Sequence, residues 1–164
     1  MLRFGIVTNI DESKAQARVQ FQDSDGMVSY WLSILQSKTY KDKFYILPDL
    51  GEHVVCLMDK NIEEGVILGS IYSEQDACPV VSKDKFHIRF EDGTVLEYDK
   101  STKKLSADIK GTVDIKALNQ INLTAPIITV NGSFNLEGNA QIKGNVSATG
   151  SIIDAGGNSN HHAH

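Results

Sequence analysis

Ile128-Thr129-Val130-Asn131-Gly132-Ser133-Phe134-Asn135-Leu136-Glu137-Gly138-Asn139-Ala140-Gln141-Ile142-Lys143-Gly144-Asn145-Val146-Ser147-Ala148-Thr149-Gly150-Ser151-Ile152 alternates without a break. Even positions carry apolar residues, alanine or glycine; odd positions carry only polar ones. Successive side chains of an extended strand point to opposite sides, so this alternation predicts β structure with one buried face. Globular strands average about five or six residues, so a pattern of this length predicts a narrow, elongated β assembly. Nothing else in the chain is patterned to cover the apolar row, which leaves further copies of the chain as its partners.

Upstream the same alternation runs on the other parity, through Leu105, Ala107, Ile109, Gly111, Val113, Ile115, Ala117, Ile121, Leu123, Ala125 and Ile127, with Asn119 as the polar exception. The parity switches at Ile127-Ile128, next to Pro126. A one-residue shift turns every side chain to the other face, so the backbone must bulge or turn there. Proline cannot donate to a ladder and fits such a corner. A single-chain solenoid would need more repeats than about fifty residues supply. Three chains around a common axis each contribute one inward face and satisfy one another's edges, so a closed trimer is expected.

The first half reads differently. Gly5–Ile10 and Ala17–Phe21 predict two strands joined through the polar turn Asp11-Glu12-Ser13-Lys14. Met27–Leu32, Val54–Met58 and Val66–Tyr72 predict three more, and five short strands suggest a small barrel of the OB type. Gln36 to Leu47 fits either a loop or a short helix before Pro48. Trp31, Tyr30, Phe21, Tyr45 and Tyr72 are expected in the core, and Cys56, within Val54-Val55-Cys56-Leu57, with them. Phe86–Phe90 and Val95–Asp99 flank Glu91-Asp92-Gly93-Thr94 and predict a hairpin with an Asp-Gly turn.

Composition excludes several functions. Lys and Arg number 16 against 21 Asp and Glu, a formal charge of −5, and no basic cluster accompanies the aromatics. Binding of nucleic acid needs clustered cations around stacking aromatics, so no nucleic-acid partner is expected. No apolar run reaches the roughly eighteen residues of a membrane span, and Met1–Gly5 opens no signal core, so synthesis in the cytoplasm is expected. Cys56 and Cys78 form neither a metal knuckle nor a redox pair. The adjacent acidic pairs Glu63-Glu64 and Glu91-Asp92 fit solvated turns better than a glycosidase pair, because neighbours on a strand face opposite ways. No enzymatic activity is expected.

The C-terminal segment reads Asn160-His161-His162-Ala163-His164. In an extended chain His162 and His164 point to one side, and His161 points away. Three chains on a three-fold axis would offer six imidazoles, an octahedral nitrogen shell that suits iron or nickel better than zinc. A solvated terminus and a purification tail are the competing readings of the same residues.

In order along the chain, Gly5-Ile6-Val7, Arg18-Val19-Gln20-Phe21, Leu47-Pro48-Asp49-Leu50-Gly51-Glu52-His53-Val54, Gly65-Val66-Ile67-Leu68-Gly69-Ser70-Ile71-Tyr72, Asp92-Gly93-Thr94, the alternating stalk and His162-Ala163-His164 resemble the phage baseplate assembly protein V family, the central spikes of contractile tails and related injection systems. The resemblance implies an all-β homotrimer: an N-terminal OB-fold barrel docked to the tail hub, then an intertwined triple-stranded β-helix stalk, then an apex. It implies one iron ion per trimer, held by His162 and His164 of the three chains. On this reading residues 1–78 form the hub-docking barrel, 79–104 a connecting hairpin, 105–155 the stalk and 156–164 the apex. The implied function is a membrane-piercing spike in the tail baseplate of a virion or tailocin, acting on the target cell envelope with hub and baseplate proteins as partners. A trimeric β-stalk adhesin and a spike-associated peptidoglycan hydrolase are the alternatives.

Overall fold

The computed structural model describes residues 1–74 and 76–153. Its first strand, β1 (Leu2–Asp11), sends Arg3, Gly5 and Val7 inward and leaves Leu2 and Phe4 outside, the alternation expected of a barrel wall. It pairs antiparallel with both β2 (Gln16–Phe21) and β4 (His53–Met58), with a register shift between Val7 and Asn9 that bends the strand. Short β3 (Leu32–Ile34) and β5 (Gly65–Ser70) complete a closed barrel in the order β1-β2-β3-β5-β4, with β3 and β5 parallel and the other neighbours antiparallel. Closure leaves no free sheet edge in this part of the chain.

The barrel interior is small and mostly apolar. Val7, Ala17, Val19, Phe21, Leu32, Val54, Cys56, Met58 and Ile67 fill it, with Ile10, Ile34 and Ile62 packed against them. Burial pushes the Cys56 thiol up to about 11, so it serves as core. Gly5 is required by space: a Cβ there would lie 2.5 Å from both the Gln20 carbonyl oxygen and Val19 Cγ1. Arg3 is only 4% exposed; its guanidinium lies 4.5 Å from the centre of the Phe21 ring and donates to Asp23 and Ser24. A cation over an aromatic face, tied to a carboxylate, lets a charged residue occupy an inward position.

The five-strand barrel matches the sequence expectation, with one strand moved. Met27–Leu32 is not a strand; Val28 makes only an isolated bridge to Gln20, and the ladder begins at Leu32. The reason is Ser29, whose buried hydroxyl accepts from the Val19 N–H at 3.0 Å while its carbonyl takes Arg18 Nε at 2.9 Å. A side chain thus replaces the ladder bond that a regular strand would make. The expected core aromatics divide accordingly: Phe21 is fully buried, whereas Trp31, Tyr30, Tyr45 and Tyr72 lie at the surface of the single chain. Gln36 to Leu47 forms a loop, held by two hydrogen bonds between the Gln36 amide and the Ile46 backbone.

A separate three-stranded antiparallel sheet follows: β6 (Lys85–Arg89), β7 (Val95–Asp99) and β8 (Lys104–Asp108), in that order. The Asp-Gly turn joins β6 and β7 as expected. Gly93 has φ +85°, and the Asp92 carboxylate accepts from the Thr94 N–H and hydroxyl at 2.8 and 3.0 Å. The first compact unit ends at Asp114, and Ile115 begins the second.

In the second unit the described residues, 115–153, contain no strand ladder, and all are exposed in the single chain. The backbone is extended and turns at Gly132, Gly138 and Gly144, where φ is +140°, +150° and +150°.

Candidate functional site

The sequence-predicted metal ligands, His162 and His164, lie outside the described residues, as does the whole 156–164 apex. Among the described residues no group of three or more His, Cys, Asp or Glu side chains could hold a metal ion, and no helix is long and apolar enough to cross a membrane. Two apolar surfaces and one acidic depression are the remaining candidates among the described residues.

The first surface is the apolar row of the second unit. Ile127 is 81% exposed, Ile115 75%, Phe134 74% and Ile142 62%. A single-chain solenoid would pair each turn with the next, and no such pairing occurs among these residues. The glycines of the row add an order that the alternation alone does not reveal. Gly132, Gly138, Gly144 and Gly150 recur every six residues, and the first three hold a backbone conformation that L side chains rarely adopt. The chain therefore runs as short extended segments, each closed by a glycine turn. This spacing was legible in the sequence as an internal repeat laid over the period of two.

The second surface is the β6–β8 sheet, whose two faces are chemically opposite. Cross-strand register places Phe86, Tyr98 and Leu105 in one row and Ile88, Leu96 and Ala107 in the next, all on one face. The other face holds Lys85, Asp99 and Lys104, then His87, Glu97 and Ser106, then Arg89, Val95 and Asp108. Glu97 anchors that charged face: Lys85 Nζ donates to its Oε1 and His87 Nδ1 lies against its Oε2, both at 2.8 Å. The hydrogen bonds from Lys85 and then His87 hold the Glu97 carboxyl below the usual range, and the bond to Glu97 holds the Lys85 ammonium above its own. Asp99 is lowered as well, chiefly by the Ser101 hydroxyl.

The acidic pairs behave as turn residues. Glu63 and Glu64 donate their backbone N–H groups to Asp59 Oδ1 at 2.9 and 3.3 Å. Desolvation opposes ionisation of Asp59, but the N–H groups of Glu64, Glu63, Asn61 and Ile62 outweigh it and hold the carboxyl low. Tyr30, Trp31, Ser33 and Gly65 share an open depression with Glu63 and Glu64. Aromatics next to carboxylates offer nothing to a phosphate backbone.

The closed five-stranded barrel is of the OB type, and a two-faced sheet and an extended glycine repeat follow it along the chain. Residues 3–72, the barrel with its connecting loops, match the family described as the Type VI secretion system/phage-baseplate injector OB domain. The chain is similar to the spike protein of Escherichia phage P2, with 32% identity over 134 residues, 81% of this chain. It spans 62% of that relative's length.

Proposed function

We propose that the chain is the central spike of a contractile tail, a homotrimer whose barrels dock on the tail hub and whose second unit forms an intertwined triple-stranded β-helix. The observation that carries this reading is the uncovered apolar row of residues 115–153, with its glycine turn every six residues. Thirteen large apolar side chains in that segment are exposed in one chain. Eleven of these lie on the alternating row, and covering them is worth about 1.5–3 kcal/mol each, so that even at the lower value their total per chain exceeds the roughly 4–15 kcal/mol cost of bringing chains together. Extended segments with unpaired backbone groups need partner strands, and three copies supply them symmetrically. Small residues such as Gly138, Ala140, Gly144, Ala148 and Gly150 keep the interior narrow. The similarity to a phage spike protein and the injector barrel supports the same assignment.

The mechanism is mechanical. Sheath contraction drives tube and spike against the target envelope, and interchain pairing along the stalk means that one strand cannot be peeled off without breaking its neighbours. His162 and His164 of the three chains would hold one iron ion, six imidazoles in all. Bound there, the ion would supply a cross-link among the three chains, and no step requires a nucleophile or an acid. The site of action is the tail baseplate of a virion or tailocin.

Native mass spectrometry of the untagged protein tests the reading, because one spectrum reports chain number and bound metal together. A trimer carrying one iron-sized mass is the expected result. A metal-free trimer would remove the apex from the proposal, and a monomer would overturn the spike.

A further inference from the structure

We infer that the depression formed by Tyr30, Trp31, Ser33, Glu63, Glu64 and Gly65 is a receptor for an arginine side chain presented by another protein. Its two halves come from different parts of the barrel, the segment that enters β3 and the loop from β4 to β5. Tyr30 is 70% exposed and Trp31 45%, so two large rings stand open to a partner. The Glu63 and Glu64 side chains are exposed as well, and among the described residues neither carboxylate makes a hydrogen bond or an ion pair.

Both halves are held in place before any partner arrives. The Ser29 hydroxyl accepts from the Val19 N–H and donates to the Tyr30 carbonyl at 2.7 Å, which fixes the path of the chain into Tyr30 and Trp31. On the other side the Asp59 carboxylate takes the N–H groups of Glu63 and Glu64, and Ile62 packs against the barrel core at φ +63°. A β-branched residue is disfavoured in that conformation, so the packing of its side chain is what keeps the loop in this shape. The two carboxylates are thereby set beside the two rings.

The chemistry selects the occupant. An aromatic face attracts a cation, and a carboxylate beside it adds charge-assisted hydrogen bonds. A guanidinium meets both demands at once, because it is planar enough to stack on a ring while its edge donates to carboxylates; an ammonium is a compact, strongly hydrated charge that stacks poorly. The fold does not fill the site with an arginine of its own. Of the three arginines in the chain, Arg3 is buried in the barrel, Arg18 donates to the Ser29 carbonyl, and Arg89 lines a different depression with Asp49, Glu52 and Asp76. The depression therefore fits a second protein with an exposed arginine-bearing loop, whatever the number of chains in the assembly.

Trp31 is the single tryptophan of the chain, so its emission reports on this depression alone. The test is a titration of the purified full-length protein at low salt with the blocked peptide acetyl-Gly-Arg-Gly-Arg-Gly-amide, set against the lysine peptide of the same pattern. The expected result is a saturable change in Trp31 emission with the arginine peptide and a several-fold weaker apparent affinity for the lysine peptide. Glu63→Gln combined with Glu64→Gln should weaken arginine-peptide binding several-fold; these substitutions keep the backbone N–H groups that hold Asp59, and a melting curve checks the fold. No saturable change, an equal affinity for both peptides, or an equal affinity in the folded double variant would overturn the site. A shift of Trp31 emission on Arg89→Ala in the absence of peptide would give the depression to a second copy of this chain, and would overturn its assignment to a different protein.

Discussion

Replacing Gly144 by alanine separates the six-residue repeat from simple alternation. Gly144 has φ +150°, and no atom lies within 4 Å of the position a Cβ would take in the single chain. The new methyl group also has precedents on the same face, because Ala140 and Ala148 occupy the same parity. The cost is therefore conformational: holding a non-glycine residue in such a region costs about 1–3 kcal/mol. In the proposed trimer three chains would carry the substitution, for a loss of about 3–9 kcal/mol in all. For a chain of this size 1 kcal/mol moves the melting midpoint by roughly 2–4 °C, which places the expected drop at roughly 2–12 °C. Gly150→Ala is the internal control. Gly150 occupies the same place in the repeat and the same parity, has equal space, and is not among the glycines of positive φ. Its substitution should be neutral, or stabilising by about 0.4–1 kcal/mol through the unfolded chain. Thermal melting of both variants by circular dichroism checks the pair. Equal midpoints for Gly144→Ala and Gly150→Ala would refute the argument that the glycine turns, rather than the alternation, set the path of the chain.

Ile142→Asp would place three carboxylates in the apolar axis of the stalk, and the trimer should weaken or dissociate in sedimentation velocity; normal assembly would show that the inward face is misassigned. His162→Ala combined with His164→Ala should abolish bound iron by elemental analysis while the trimer persists, because the stalk buries far more surface than the tip. Phe21→Ala removes the largest fully buried side chain of the barrel and the ring beneath Arg3, and should cost about 3–5 kcal/mol in urea unfolding. The Glu97 carboxyl is lowered on folding, so its contribution is present above its ordinary value of 4.5 and fades as the pH falls through the lower folded value. Glu97→Gln should flatten that part of the acid limb in a pH series of melting curves, and an unchanged profile would mean that the Lys85–Glu97–His87 cluster adds no stability.

Particular elements show where sequence reasoning reached and where it stopped. The strands around Val7, Val19, Val54 and Ile67 are legible because their inward residues alternate with polar or half-buried ones, and the Asp92-Gly93 turn because only a few residue types fit it. The third barrel strand was misplaced because Met27–Leu32 has strand composition, yet Ser29 turns its hydroxyl into the ladder and diverts the chain. That competition is decided by a partner ten residues away, which no local pattern encodes. Tyr30 and Trp31 were assigned to the core for the same reason, and they face outward once the strand is lost. The six-residue glycine period was present in the sequence and was hidden by the stronger period of two.

By itself the sequence determined that the first half is built of short strands closing on a small apolar core, that an Asp-Gly hairpin follows, and that the second half carries an alternating apolar row. These follow from side-chain periodicity and turn chemistry, which act over a few residues. Tertiary structure alone decided the barrel order β1-β2-β3-β5-β4, the burial of Arg3 against Phe21, and the pairing of β8 with β7 that gathers six apolar side chains on one sheet face. Those features depend on which distant strands meet and in what register, and register is fixed by packing rather than by any single stretch of chain.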